Sequence, residues 1–90
     1  MVKVKNQKLM EWYVYIVECA DKSLYTGITT DIIRRVKEHN SKTGAKALKG
    51  KLPVVLVHQE SFENRSEASI RETGIKKLTR LQKLSLVKNL

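Results

Sequence analysis

Six consecutive residues, Trp12-Tyr13-Val14-Tyr15-Ile16-Val17, divide into three aromatic and three β-branched side chains. Such a run favours a pleated strand over a helix and reads as a buried strand. In a chain of only 90 residues the core is modest, so one strand of this kind commits the remaining elements to covering it. Strand alternation puts Tyr13, Tyr15 and Val17 on one face and Trp12, Val14 and Ile16 on the other. Ala20-Asp21-Lys22-Ser23 supplies turn chemistry, and Leu24 to Thr29 reads as a second strand that closes a β-hairpin.

Thr30 or Asp31 caps a helix running to about Asn40, with Ile32, Ile33 and Val36 as its apolar side. From Ser41 to Pro53 the chain turns loop-like, carrying Gly44, Gly50 and the lysines Lys42, Lys46, Lys49 and Lys51. Val54-Val55-Leu56-Val57-His58 reads as the third strand. Ser66 is the expected N-cap of a helix to about Leu78, with Glu67 in its favourable first turn. Thr79-Arg80-Leu81-Gln82 has the spacing of a capping box and starts a last helix with Leu81, Leu84, Leu86 and Val87. The expected class is α+β, a three-stranded antiparallel sheet flanked by helices in the order β-β-α-β-α-α. Residues 1–10 read as a basic, flexible extension and residues 11–90 as a single domain.

The composition, 41% hydrophobic and 30% charged, is that of a globular protein, and 18 Lys+Arg against 9 Asp+Glu leave a formal charge of +9. A compact body so charged attracts polyanions, nucleic acid foremost. Cys19 is the only cysteine, so no internal disulfide forms, and no Cys/His set has zinc spacing. Without an apolar signal region or a membrane-length apolar run, a cytoplasmic location is expected, with no membrane partner.

Helix periodicity exposes polar residues on faces that ought to be apolar. Arg35 and His39, four apart, project in the same direction from neighbouring turns. Ala68, Glu72, Ile75 and Thr79 follow one stripe, which turns the Glu72 carboxylate towards the core. A buried, unpaired carboxylate costs several kcal/mol or changes its pKa, so Glu72 needs a cation: Arg35, a lysine or a metal ion. An ordinary Glu72–Arg35 ion pair is the simplest arrangement. Across the hairpin, Tyr15 comes near Tyr25 directly or on the diagonal, and Gly27 leaves room for a close approach. His58 has nothing nearby in sequence to direct it.

These residues resemble the GIY-YIG nuclease domain. Its first motif appears as Tyr13-Val14-Tyr15 and its second as Tyr25-Thr26-Gly27; Arg35, His39 and Glu72 stand where the family carries its helical arginine, a frequent histidine and its glutamate. The resemblance spans about residues 11 to 85 and is nearest to the small stand-alone bacterial members. The asparagine that many members carry after the glutamate helix has no counterpart, Asn89 lying too near the end.

The resemblance implies a metal-dependent DNA endonuclease of low sequence specificity, directed by substrate structure or damage. Glu72 would hold a single divalent ion, Mg²⁺ or Mn²⁺, and Arg35 a phosphate oxygen; Tyr15 would activate or position water, and Tyr25 would orient it. His39 either takes a tyrosine proton or only hydrogen-bonds it. Lys42, Lys46, Lys49, Lys51, Lys76 and Lys77 are candidates for backbone contacts with nucleic acid, DNA ahead of RNA. A monomer is expected. The alternatives are a non-catalytic nucleic-acid-binding module and a protein-interaction adaptor with a basic surface.

Overall fold

In the computed structural model, which describes residues 11–88, the strand at Trp12–Glu18 (β1) lies in the middle of the sheet. Leu24–Thr29 (β2) and Val55–Phe62 (β3) flank it, both antiparallel, in the order β2-β1-β3. The central place explains the unbroken apolar run: Val14, Tyr15, Ile16 and Val17 are all buried because both faces of β1 are covered. The helices are Ile32–Asn40 (α1), Arg65–Lys76 (α2) and Arg80–Lys88 (α3), so the order is β-β-α-β-α-α. The basic extension assigned to residues 1–10 lies outside the described residues.

The alternation of β1 divides the core in two. Tyr15, Val17 and Cys19 pack with Ile32, Leu48 and Val54, on the side of α1 and the loop after it. Val14 and Ile16 pack with Ala68 and Ile75, with Leu86 and Val87 of α3 against them. Each helix therefore shows the sheet only part of its apolar set. Ile33, expected on the covered side of α1, is 73% exposed, and Leu81 of α3 is 78% exposed, because the sheet meets a neighbouring turn of each helix instead.

Local signals set most element ends. Asp31 caps α1, its Oδ1 accepting from the Arg34 N–H at 3.0 Å. Thr79 and Gln82 form a reciprocal box: the Gln82 N–H donates to Thr79 Oγ1 at 3.2 Å and the Thr79 N–H to Gln82 Oε1 at 2.9 Å. Two expected boundaries are corrected. The third strand runs to Phe62 rather than stopping at His58, because Trp12 at the far end of β1 pairs with Phe62. The longer strand moves the start of α2, and Asn64, not Ser66, is its cap, accepting from the Glu67 N–H at 2.9 Å. Between Ile16 and Val17 the β1–β3 register slips, leaving Val57 as an extra residue on β3.

The segment after α1 is held at several points. Asn40 donates from Nδ2 to the Val54 carbonyl at 3.1 Å and accepts from the Val54 N–H at 2.8 Å, joining the end of α1 to the start of β3. Leu48, in a single 3-10 turn at Lys46–Leu48, is buried as an anchor, and the Ala20 N–H donates to the Lys51 carbonyl at 2.9 Å. Among the described residues no helix is long and apolar enough to cross a membrane.

Candidate active site

Tyr15 enters the site from the middle of β1, where it is paired with Gly27 of β2. A side chain at position 27 would bring its Cβ to 2.6 Å from Tyr15 Oη, so the glycine is what lets the phenol ring lie against β2. Because Val17 is the residue paired with Tyr25, Tyr15 and Tyr25 are diagonal neighbours on the same face. His39, on the last turn of α1, is buried and completes the group: Tyr15 Oη and His39 Nε2 are 2.8 Å apart. The Tyr25 ring meets the imidazole edge-on, with centroids 5.7 Å apart.

Burial foremost, with smaller pushes from Tyr25 and the Glu72 carboxylate, raises the Tyr15 hydroxyl to about 12 against the pull of the Arg35 guanidinium beside it. Arg35 and Glu72 thus reach the same hydroxyl electrostatically, one from α1 and one from α2. His39 is held below the ordinary imidazole range, first by burial and then by the nearby positive charge of Arg35. Of these residues His39 touches the Tyr15 hydroxyl, Tyr25 packs on the His39 ring, and Arg35 and Glu72 act on that hydroxyl through their charge.

Of the cations open to Glu72, Arg35 is not the one it meets. Arg35 donates from Nη1 to Glu38 Oε1 at 2.9 Å, three residues along its own helix. Glu72 faces Lys76 instead, with Nζ 3.2 Å from its Oε2. Both pairs lie within one helix, at spacings where neighbouring turns meet more readily than side chains of separate helices. The partial burial of Glu72 is real, with 21% of its side chain exposed, but its partner is a lysine one turn away.

The lysines separate into groups. Lys42, Lys46 and Lys49 line an open cavity of about 660 Å³ with Leu48 and Leu52 in its wall, and His39 is shared between this cavity and the tyrosine cluster. Lys51 lies apart from the other three, its charge felt by Asp21 in the hairpin turn. Lys76 is engaged with Glu72, and Lys77 is exposed at the end of α2.

Three contributors were not singled out from the sequence. Glu38 is readable in retrospect, since it stands three residues after Arg35. Gly44 and Ala45 close against the imidazole: a Cβ on Gly44 would overlap His39 Nδ1, and the Ala45 N–H points at that nitrogen from 3.3 Å. Nothing local in the sequence announces a contact that depends on how the loop folds back. On the opposite face, His58 is not isolated either. Its Nε2 is 2.8 Å from Glu60 Oε2, and Glu60 also takes two hydrogen bonds from Arg71, at 2.8 and 3.1 Å.

Residues 11–85 match the GIY-YIG catalytic domain. The chain belongs to the GIY-YIG family. A UPF0213 protein from Haloquadratum walsbyi is 60% identical over 74 residues, which are 82% of this chain and 83% of that one. Another, from Desulfotalea psychrophila, is 55% identical over 78 residues, 86% of this chain and 71% of its own. The solution NMR structure of a UPF0213 protein from Bacillus halodurans superposes with a TM-score of 0.57 at 47% identity, covering 88% of this chain and 84% of that one. That of a protein from E. faecalis gives 0.61 at 45% identity, covering 96% and 90%. Membership of the GIY-YIG nuclease family supports an endonuclease function in general terms, with nucleic acid as its substrate.

Proposed function

We propose that this GIY-YIG protein is a metal-dependent endonuclease that hydrolyses phosphodiester bonds in DNA, guided by the structure or damage of its substrate more than by base sequence. The observation that carries this reading is the Tyr15 hydroxyl, held 2.8 Å from His39 Nε2, with Arg35 beside it and the Glu72 carboxylate within electrostatic reach. Phosphodiester hydrolysis needs a positioned water, neutralisation of the phosphoryl oxygens and relief of charge on the leaving oxygen.

Among the described residues no three His, Cys, Asp or Glu side chains gather around a metal position. A donor set of one carboxylate suits a hard ion such as Mg²⁺ or Mn²⁺, which keeps most of its waters and takes substrate phosphate as a further ligand. Glu72 would hold it, and when bound it supplies Lewis-acid charge neutralisation and a more acidic water. Arg35 binds a nonbridging phosphate oxygen with its planar fork. Tyr15 places the attacking water, and Tyr25 orients the phosphate or that water. Lys42, Lys46 and Lys49 receive the backbone on the loop side, with Lys51 and Lys77 as further contacts and Lys76 available once it leaves Glu72.

Two charges of the site are neutralised within the chain, Arg35 by Glu38 and Glu72 by Lys76. The same pairings would suit a module that binds nucleic acid without cutting it, and nicking of supercoiled plasmid separates the two. With Mg²⁺ the wild type is expected to nick, and Glu72→Ala and Arg35→Ala each to fall by roughly 10²-fold while remaining folded. Full Mg²⁺-dependent activity in folded Glu72→Ala would remove the catalytic assignment.

A further inference from the structure

We infer that His39 is fixed as the neutral tautomer carrying its proton on Nε2, and that it donates this proton to Tyr15 Oη. It therefore positions Tyr15 and is not the base that removes its proton. The other ring nitrogen decides the tautomer. The Ala45 backbone N–H points at His39 Nδ1 from 3.3 Å. A backbone N–H can only donate, so Nδ1 must offer its lone pair. A neutral imidazole has one N–H, and with Nδ1 accepting it has to sit on Nε2. The 2.8 Å contact between Nε2 and Tyr15 Oη then has the imidazole as donor and the phenol oxygen as acceptor.

With Nε2 already protonated and Nδ1 facing another donor, His39 has no free lone pair for the phenolic proton. The Tyr15 hydroxyl then turns its own hydrogen away from His39. Arg35 carries donors only, so it cannot take that proton either. A donated hydrogen bond and a nearby guanidinium both favour extra electron density on Oη, as a group that orients water through its oxygen requires.

The fold keeps the imidazole in this state. His39 is 1% exposed, so the ring cannot turn into solvent to exchange partners. Gly44 leaves no side chain where a Cβ would overlap Nδ1, and this lets the Ala45 N–H reach the ring. Asn40, the next residue after His39, clamps the two ends of the loop through both of its hydrogen bonds to Val54. Protonating Nδ1 would set two donors against each other, and burial together with Arg35 already holds the imidazole in its neutral form. Gly44 and Ala45 are thus positioning residues acting through His39.

The consequence for catalysis rests on the proposed nuclease reading; the tautomer does not, and the test separates them. Long-range proton–nitrogen correlation NMR on the ¹⁵N-labelled full chain at neutral pH is expected to show His39 protonated at Nε2 and bare at Nδ1. A proton on Nδ1 would overturn the inference, whether or not the protein cleaves DNA. In Gly44→Ala the two tautomers are expected to mix; an unchanged Nε2–H pattern there would remove Gly44 from the positioning role. In the nicking assay, His39→Gln presents an amide N–H near the place of Nε2. It is expected to retain at least tenfold more activity than His39→Ala, both checked for native fold. Equal losses in the two folded variants would point to a proton acceptor and overturn the donor role. Absence of nicking by the wild type would sink the nuclease reading and leave the NMR result to decide the tautomer.

Discussion

At the scale of single residues, Glu38 would compete with substrate phosphate for Arg35 under the proposed function. Its carboxylate holds the Arg35 guanidinium at 2.9 Å and lies 3.7 Å from Arg34 Nε as well. A phosphate that binds Arg35 must displace or share that partner. Glu38→Gln keeps the hydrogen-bonding shape and removes the charge. Relief of about 1 kcal/mol of repulsion is expected to tighten DNA binding about fivefold at low salt, measured by fluorescence anisotropy. Unchanged affinity would mean that Arg35 does not meet phosphate. Tyr15 makes a second prediction. Its folded pKa, about 12, lies above the unfolded value of 10.0, so the stability it confers is complete below pH 10.0 and drains away as pH rises through about 12. Tyr15→Phe removes the ionisable group. Its melting temperature is expected to fall less steeply than that of the wild type over this alkaline window. Parallel curves would count against a buried, neutral phenol.

At the scale of elements, the ends of the helices show which signals act locally. Asp31 and the Thr79–Gln82 box do what their sequence spacing predicts, because an N-cap needs only the turn that follows it. The start of α2 is different. Asn64 and Ser66 are both competent caps, and the choice falls to Asn64 because β3 continues along β1 to Phe62. Asn64→Ala is expected to cost about 1 kcal/mol in urea denaturation. Ser66→Ala, exposed inside the first turn, is expected to leave the midpoint nearly unchanged. A larger loss at Ser66 than at Asn64 would contradict the observed cap. The loop after α1 follows the same logic. Its lysines, Gly44 and Gly50 read as open chain, whereas Leu48, Asn40 and the Lys51 carbonyl pin it so that it packs on His39.

At the scale of the whole molecule, a formal charge of +9 on 90 residues would make the proposed association with DNA chiefly electrostatic. Affinity is expected to drop by orders of magnitude between about 50 and about 200 mM salt, as counterions released from phosphate compete back. A flat response in that titration would remove the backbone contacts assigned to the lysines. The sheet explains why the charge can be concentrated in this way. With β1 buried on both faces, the apolar demand of the fold is met inside two thin layers, which leaves the helix exteriors and the loop free to carry cations.

The sequence by itself determined the order of elements, the two faces of β1 and the convergence of Tyr15 and Tyr25. Strand alternation and turn chemistry are properties of neighbouring residues, and they need no knowledge of the rest of the chain. It also marked Arg35, His39 and Glu72 as polar residues on helix faces turned towards the sheet. Only the tertiary structure decided who meets whom: Arg35 with Glu38, Glu72 with Lys76, and His39 with Tyr15 on one nitrogen and Ala45 on the other. Hydrogen bonds are directional and act over about 3 Å. Such pairings follow from the angle at which a helix crosses a strand and from the path of a loop, and neither is written in the spacing of residues along the chain.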